Sequence, residues 1–405
     1  MITVLENVQV VDVRAGKVDG DRHVVIEDGF IRDISESAVT VSDARRVPLG
    51  GKFLIPGLID CHVHVTAYIA NLAELPRQSP MYVAVRSAAV LDNMLKRGFT
   101  TVRDAGGAEF GLARAVEEGY IAGPRILYGG KALSPSGGHG DLRPPGLDAE
   151  DEAYALVSLG RRCDGVDAVR AAARDEIRRG AHHIKIMANG GISSPTDRIT
   201  SDQFSEAEIE AAVDEARMAG LYVMAHTYTA SSVARCVRNG VRSIEHGNLL
   251  DEPTVAMMKQ HGTYLVPTLA CFRALADVGE ASGFPRGRLD KISAVLEGGI
   301  KAVEMAYRAG VPMAYGTDLI GPMHEAQLSE FSLRAEVVKP ADLLRAATST
   351  AAELLQREGE LGFIGAGYRA DLVTLDANPL DAGVLSDFAS HRGLVIKDGV
   401  VQSGA

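Results

Sequence analysis

The stretch that decides the fold reads Leu54-Ile55-Pro56-Gly57-Leu58-Ile59-Asp60-Cys61-His62-Val63-His64. Its first six residues are a short apolar run, which predicts a buried β-strand. Residues i and i+2 of a strand share a face, so we expect the His62 and His64 imidazoles to point the same way at the carboxyl end of this strand. Two neutral imidazoles placed in this way can bind one metal ion, although the pair alone is equally compatible with two packing or surface histidines.

From residue 54 onward, short apolar segments alternate with longer amphipathic ones, a pattern that indicates βα units around a parallel sheet. The predicted strands are Leu54–Ile59, Thr100–Arg103, Arg125–Tyr128, His182–Met187, Leu221–Ala225, Arg242–Glu245, Thr263–Pro267 and Pro312–Tyr315. Predicted helices include Tyr82–Arg97, Ala168–Arg179, Ser205–Ala219 and Arg288–Ala309. Glycines that end helices just before a strand are expected at Gly98, Gly180, Gly220, Gly240 and Gly310. Eight strands with helices between them predict an α/β fold, a (β/α)₈ TIM barrel over residues 54–359.

Both ends of the chain are rich in short β segments. Ile2–Leu5 and Val8–Val13 precede the barrel pattern, and Ala370–Leu375 and Gly393–Val401 follow it. We predict that residues 1–53 and 360–405 form one small, discontinuous β-sandwich domain. The alternative is two independent β tails, which would expose strand edges and apolar faces.

Composition limits the classes of protein to consider. The chain has 405 residues, 46% of them hydrophobic, and a formal net charge of −11, values that are typical of a globular protein with a large core. The acidic balance argues against sequence-independent binding of nucleic acid or of an anionic membrane surface. Without a membrane-span pattern or a signal sequence in the residues given, we expect a cytoplasmic location. The four cysteines are widely spaced and form no CxxC pair, so we expect no disulfide framework and expect most of them to be buried apolar fillers.

Three further candidate ligands follow other predicted strands: His226, His246 and Asp318. Active sites of (β/α)₈ barrels lie at the carboxyl ends of the strands, so residues that are remote in sequence converge there. Four histidines and one aspartate are nitrogen and oxygen ligands suited to Zn²⁺ or a similar divalent ion. Each residue alone could be a polar side chain of the barrel rim, but their coincidence at strand ends indicates a metal site.

Lys185 lies within the apolar strand His182–Met187, where an unpaired ammonium would carry a large desolvation cost. Three arrangements would offset this cost. Lys185 could pair with a carboxylate, form a Schiff base, or react with CO₂ to give a carbamate, which is an anionic ligand with two oxygens.

The motifs together resemble the amidohydrolase superfamily. They are Pro56–His64, Ile184-Lys185, Ala225-His226, Glu245-His246-Gly247, Gly316-Thr317-Asp318 and the tail Ala370-Asp371-Leu372-Val373 with Asn378-Pro379. The resemblance implies a binuclear centre. His62, His64 and Asp318 would hold one divalent ion, His226 and His246 the other, and a hydroxide and the CO₂-derived carbamate on Lys185 would bridge them. Zn²⁺ is the ion that we expect.

A narrower resemblance involves Ser134–Asp141 and Ala225-His226-Thr227-Tyr228. These segments are similar to the branch that contains Xaa-Pro dipeptidases, carboxypeptidases for dipeptides and N-acyl amino acids, and ochratoxin-type amidases. The resemblance implies that His139 and Tyr228 contact the substrate, the tyrosine at its α-carboxylate, although each could also be a residue of the loop or rim. Ser136 stands where many of these peptidases have threonine. Arg143 is a candidate second cation for a substrate carboxylate or, alternatively, a solvated loop residue.

The expected reaction is hydrolysis of an amide bond in a small molecule, most simply a dipeptide or N-acyl amino acid. Asp318 would act as general base and then general acid, with Lys185 and His139 completing the catalytic set. One alternative is a cyclic amide or urea hydrolase resembling imidazolonepropionase. Another is a non-catalytic assembly protein on a hydrolase barrel, which the filled ligand positions disfavour. We also expect a homo-oligomer, with neither nucleic acid nor membrane as partner.

Overall fold

A computed structural model describes residues 2–144 and 157–403. The strands are β1 (Ile2–Asp12), β2 (Lys17–Glu27), β3 (Phe30–Ser35), β4 (Arg45–Pro48), β5 (Phe53–Pro56), β6 (Leu58–Val63), β7 (Phe99–Asp104), β8 (Arg125–Tyr128), β9 (Ala132–Ser134), β10 (Gly160–Arg162), β11 (Ile184–Met187), β12 (Val223–Thr229), β13 (Ser243–Leu249), β14 (Tyr264–Val266), β15 (Leu372–Leu375), β16 (Arg392–Lys397) and β17 (Val400–Ser403). The α-helices are α1 (Pro80–Lys96), α2 (Phe110–Glu117), α3 (Val166–Arg178), α4 (Glu206–Met218), α5 (Ala230–Arg238), α6 (Glu252–His261), α7 (Leu269–Val278), α8 (Ile292–Ala309), α9 (Ser329–Arg334), α10 (Pro340–Ala346), α11 (Ser349–Leu354) and α12 (Phe388–His391). Further 3₁₀ helices cover Leu72–Arg77, Arg286–Lys291 and Gly321–Leu328.

Two parallel sheets contain most of the strands that the sequence predicted between helices. One sheet has the order β6-β7-β8, and the other has the order β10-β9-β11-β12-β13-β14. Neighbouring strands run parallel in both sheets. The short strands β9 and β10 are additions to the predicted set, and they extend the second sheet beyond β11.

Backbone hydrogen bonds link the two parallel sheets. The N–H of Cys61 in β6 donates to the carbonyl of Tyr315, and Leu265 of β14 forms a parallel bridge with Met313. On the other side, the N–H of His182, just before β11, donates to the carbonyl of Tyr128 in β8 at 2.8 Å. Residues 312–315, which the sequence predicts as the eighth strand, do not form a regular strand. Their pairing with β14 is limited to the isolated bridge between Leu265 and Met313. Pro312 has no N–H to donate, which shortens the ladder here.

The first predicted strand, Leu54–Ile59, is divided between two sheets. β5 pairs with β1 and β15, whereas β6 begins at Leu58 and pairs with β7. The division falls at Gly57, whose N–H donates to the carbonyl of Asp371. A Cβ at Gly57 would lie 2.1 Å from Oγ1 of Thr100, so this close approach of the backbone to β7 requires glycine.

Strands from both ends of the chain form one mixed sheet with the order β17-β16-β15-β5-β1-β2-β3, and β4 pairs with β1. The terminal segments are therefore not independent tails. The sequence predicted a sandwich, whereas these strands form one connected sheet. The long strand β1 pairs in parallel with β4 along Thr3–Glu6 and with β5 along Gln9–Val10. β4 and β5 are therefore successive partners along one edge of β1. The division into domains at residues 53/54 and 359/360 stays a prediction, and β5 crosses it.

The helices pack their apolar faces against the parallel strands and bury the largest hydrophobic cluster, which includes residues of β11, β12, α4 and α5. All five glycines predicted to end helices have positive φ, between 71° and 102°. Within the described residues, no helix is long and apolar enough to cross a membrane. The packed helices support the strands, and all six residues of β6 are buried.

Candidate metal centre and active site

His62, His64 and Asp318 lie together at the carboxyl end of β6. Oδ1 of Asp318 is 3.3 Å from Nε2 of His62 and 3.2 Å from Nε2 of His64. The backbone N–H of Asp318 donates to the carbonyl of His62 at 2.8 Å. Buried Asp60 accepts hydrogen bonds from both the N–H and the hydroxyl of Thr317, which fixes the segment that carries Asp318. The structure therefore brings these three candidate ligands together.

His226 of β12 and His246 of β13 reach the same place from neighbouring strands. Their ring centroids are 4.7 Å apart, and the His62 and His246 centroids are 5.1 Å apart. Ligand atoms of His62, His246 and Asp318 all lie within 4.8 Å of one another. His246 has a φ of 76°, which is rare for a residue other than glycine. The strand therefore departs from regular geometry where it delivers this imidazole.

Each of the four imidazoles has one nitrogen beside an oxygen outside the centre. Nδ1 of His62 lies 2.7 Å from Oε2 of Glu245, and Nδ1 of His64 lies 2.8 Å from the carbonyl of Gly106. The remaining contacts are His246 Nδ1 to Thr268 Oγ1 at 2.7 Å and His226 Nε2 to the Gly190 carbonyl at 3.4 Å. Metal-binding histidines typically donate their second N–H to such oxygens, which orients the ring and fixes its tautomer. The donor set thus fits divalent metal ions.

The Asp318 carboxyl is mostly buried, with 20% of its side-chain surface exposed, and its pKa lies well below the ordinary value. Burial raises this pKa, but the neighbouring imidazoles, chiefly His62, outweigh burial and favour the carboxylate. The pKa values of His226 and His246 are lowered well below the ordinary value, mainly by burial. Neutral imidazoles and an ionised carboxylate are the forms that bind metal.

Lys185 of β11 projects into the same cavity and is 2% exposed. Burial lowers its pKa to about 8, although Glu245 and Asp318 act in the opposite direction. Among residues 2–144 and 157–403, no carboxylate forms an ion pair with its ammonium. The ion-pair interpretation of this lysine thus finds no partner in the described part of the chain.

Glu245 and Arg103 are central residues that sequence reasoning missed. Both are fully buried, and Arg103 donates to Glu245 Oε1 at 2.9 Å and to the carbonyl of Cys61 at 2.6 Å. The carboxylate of Glu245 therefore connects β7 to the His62 imidazole. The available signal was a charged residue inside each of two apolar strands, Arg103 in β7 and Glu245 in β13. A charged side chain is rarely buried without a partner, so each of these residues indicates that a partner lies nearby.

His139 lies where a substrate contact was expected, against the metal centre. Its ring stacks on that of His226 with centroids 4.1 Å apart, and it lines the central cavity. Tyr228 also packs on His226 and His246, but it is 3% exposed and does not belong to the described cavity lining. Burial raises the pKa of Tyr228 well above its ordinary value.

Arg143 is held by its own loop. Its guanidinium donates to both carboxylate oxygens of Asp141, at 2.8 and 2.6 Å, and it is absent from the described cavity lining. The contact of Arg143 with substrate stays a prediction, and the structure does not bring this residue into the cavity lining with the candidate metal ligands. The ion pair explains why, since a two-residue separation lets the guanidinium fold back onto Asp141.

The central cavity has a volume of about 60 Å³. Apolar side chains form much of its wall above the ligands: Leu72, Leu142, Leu159, Met187 and Ile320. Cys271 also lines it, beside the Asp318 carboxylate, so this cysteine is part of the site and not only an apolar filler. Burial and this carboxylate raise the pKa of the Cys271 thiol well above its ordinary value.

A buried histidine and aspartate centre at the carboxyl ends of parallel strands, open to an apolar cavity, is typical of a metal-dependent hydrolase. Residues 53–403 match the model of the Amidohydrolase family, and the chain belongs to this family. Ochratoxinase from Aspergillus niger is 32% identical over 360 residues, which cover 84% of this chain and 73% of that protein.

Two solved structures are similar over whole chains. A prolidase complexed with N-methylphosphonate-L-proline is 46% identical, with a TM-score of 0.98 and 100% of both chains covered. A Xaa-Pro dipeptidase with bound methionine in the active site is 29% identical, with a TM-score of 0.89 and the same coverage. The resemblance predicted from the sequence is confirmed. The protein is a hydrolase that acts on C–N bonds in small molecules, in a family that generally uses divalent metals.

Proposed function

We propose that the protein hydrolyses the amide bond of a dipeptide or an N-acyl amino acid. The observation that carries this proposal is the convergence of His62, His64, His226, His246, Asp318 and Lys185 on one cavity. Backbone hydrogen bonds link β8 to the residues just before β11, and link β6 to β14 through residues 312–315; these links support a single (β/α)₈ barrel as the scaffold. The relatives named prolidase, Xaa-Pro dipeptidase and ochratoxinase support this class of substrate.

Two divalent ions, Zn²⁺ by the chemistry of the donors, would occupy the centre. His62, His64 and Asp318 would hold one ion, and His226 and His246 the other. When bound, the ions would polarise the scissile carbonyl and lower the pKa of water.

Lys185 would join the two sets of ligands as a carbamate. Its lowered pKa supports this assignment, because only a neutral amine adds to CO₂, and the reaction releases one proton. Starting from the ammonium, loss of one proton gives the neutral amine, and formation of the Nζ–C bond with CO₂ releases a second proton, so an anion replaces a buried cation in the cavity that the four imidazoles line. This change removes the unfavourable burial of an unpaired ammonium.

Asp318 would carry the proton between the two steps of hydrolysis. Its carboxylate accepts a proton from the attacking water and then delivers that proton to the leaving nitrogen. The low pKa of Asp318 keeps it ionised at the start of each cycle. The second transfer is essential for an amide, because the leaving group is a poor anion.

His139 and the apolar wall would orient the substrate. The His139 ring, at the rim of the centre, can bond to the polar group next to the scissile bond, while Leu142, Leu159 and Met187 accept an apolar side chain. Tyr228 stays a proposed contact for the α-carboxylate.

The test is a screen of the purified chain, reconstituted with Zn²⁺ and bicarbonate, against dipeptides, N-acyl amino acids and cyclic amides, with metal analysis in parallel. We expect turnover of acyclic substrates with an apolar side chain and close to two ions per chain. Asp318→Asn should lower kcat by about 10²- to 10⁴-fold while the fold is kept. Turnover of cyclic substrates alone, or one metal ion or fewer, would contradict the proposal.

A further inference from the structure

The His139 ring has two close neighbours. It stacks on His226 with an interplanar angle of 16°. It also packs closely against Gly191, where an added Cβ would lie 2.1 Å from Cε1 and 2.4 Å from Nδ1 of His139. The ring is thus packed against a candidate metal ligand and against a glycine of the β11–α4 connection.

Asp197, a buried residue of the same connection, faces the edge of this ring. Its Oδ2 lies 3.5 Å from Nδ1 of His139 and accepts hydrogen bonds from the N–H of Gly191 at 3.1 Å and from Gln203 at 3.0 Å. Ser194 donates to Oδ1 of the same carboxylate. Gln203 also accepts the backbone N–H of His139 at 2.9 Å.

The loop that carries Asp197 is itself anchored by a second segment. Lys291 donates to the carbonyls of Gly191 and Asp197 at 3.0 and 2.9 Å, and Arg288 donates to the carbonyl of Ser193. Ser193 lines the central cavity. Two cations therefore bind these three carbonyls of one loop, which gives the Asp197 carboxylate a fixed position although it lies outside regular structure.

We propose that Asp197 is the positioning residue of His139: its carboxylate faces Nδ1, which has no hydrogen-bond partner among the described residues, and its charge favours the proton on Nδ1, which leaves Nε2 as the nitrogen that the cavity offers to the substrate. This inference rests on the proposed contact between His139 and the substrate. A buried carboxylate on one imidazole nitrogen orients the other nitrogen in many catalytic sites. Without Asp197, the proton could move from Nδ1 to Nε2, which would then offer the substrate a donor in place of an acceptor.

A double-mutant cycle tests the inference. Asp197→Asn keeps the size of the side chain and removes its charge, and His139→Gln removes the imidazole. With metals loaded, we expect each single variant to lower kcat/KM by about 10- to 100-fold, and the double variant to be no slower than His139→Gln alone. Metal content and Tm should stay close to those of the wild type. A crystal structure of Asp197→Asn should show the His139 ring displaced or reoriented.

Two matched controls separate positioning from general damage. Asp371→Asn removes another buried carboxylate, which is paired with Arg125; neither residue lines the described cavity, so this variant should leave kcat/KM unchanged. Gly191→Ala should reproduce the His139→Gln loss, whereas Gly359→Ala, where an added Cβ meets no atom within 4 Å, should not.

The outcomes distinguish this inference from the proposed function. Losses from Asp197→Asn and His139→Gln that multiply in the double variant would overturn the positioning role and leave the proposed activity intact. A fully active His139→Gln would overturn the substrate contact and the positioning role together. Wild-type protein without turnover of any acyclic amide would refute the proposed function itself, and the position of the ring in the variant crystals would then decide the structural claim.

Discussion

Lys185 is the side chain whose surroundings differ most from those of an ordinary lysine. It is buried beside four imidazoles without a described ion-pair partner. If it holds metal as a carbamate, Lys185→Ala should lose at least one ion per chain and nearly all turnover, because the shared anionic ligand is gone. Millimolar acetate or propionate should restore part of both, since a short carboxylate fits the space left by the side chain.

Metal analysis and initial rates, each with and without the added acid, measure these effects. Lys96→Ala is the matched control, because Lys96 is an exposed lysine paired with Asp92 on a helix surface. Retention of both metals and of the rate in Lys185→Ala would make Lys185 a structural lysine.

For Tyr228, the role that the sequence implies is difficult to reconcile with the packing that the structure shows. The resemblance implies a contact with the substrate carboxylate, yet the ring is buried against His226, His246 and Phe272. A hydrogen bond to a charged group contributes about 1.5–3 kcal/mol, so Tyr228→Phe should lower kcat/KM for an acid substrate by about 10- to 150-fold. The corresponding substrate amide should be hardly affected. Equal losses on acid and amide would assign the hydroxyl to the scissile carbonyl or to packing.

At the scale of elements, the strands that carry the histidine ligands could be predicted from the sequence, because apolar runs that end in His combine a packing signal with a chemical one. The alternation of short apolar segments with longer amphipathic ones also predicted the helices and the glycines that end them. What could not be predicted are contacts between elements. The pairing of Arg103 in β7 with Glu245 in β13, and the Asp141 pair that withdraws Arg143 from the cavity, depend on three-dimensional neighbours that no local pattern specifies.

Helices α7 and α9 give a prediction about pH. Glu330 of α9 is fully buried and accepts the N–H of Ala270 in α7 at 2.8 Å. Burial raises its pKa from 4.5 to about 8, although Arg334 acts in the opposite direction. The folded protein therefore binds this proton more tightly than the unfolded chain. The resulting stability is fully present below about pH 4.5 and is lost as the pH rises towards 8.

Glu330→Gln keeps an acceptor but cannot ionise, so its Tm should exceed that of the wild type increasingly from pH 5 to pH 8, by about 2–5 °C at the upper end. Thermal unfolding of both proteins across this range measures the difference, and titrations common to both cancel in the comparison. A constant difference in Tm across the range would show that Glu330 does not titrate there.

At the scale of the whole molecule, the chain passes from one sheet system to the other at a single glycine. β5 belongs to the sheet formed by both termini, β6 begins the parallel sheet that carries His62, and Gly57 joins them. The pair of Arg125 with Asp371 adds a second connection, at 2.8 Å, between β8 and the residue that precedes β15. The terminal sheet and the parallel strands that carry the candidate ligands are therefore joined by direct contacts. We expect the two to unfold together.

Gly57→Ala tests this connection. The added Cβ would lie 2.1 and 2.5 Å from Oγ1 and Cγ2 of Thr100, so either β6 or β7 must move, at a cost of about 1–3 kcal/mol. Urea unfolding should show a lower midpoint in one cooperative transition, followed equally by far-UV circular dichroism and by loss of activity. Thr100→Ala removes both of these atoms and should recover part of the loss in the double variant, although Cβ of Thr100 remains 2.8 Å away. If the double variant is as unstable as the sum of the two single variants, the contact with Thr100 is not what Gly57 relieves. If activity disappears at a lower urea concentration than the circular dichroism signal, the catalytic strands unfold without the terminal sheet, and the two systems are not coupled through this glycine.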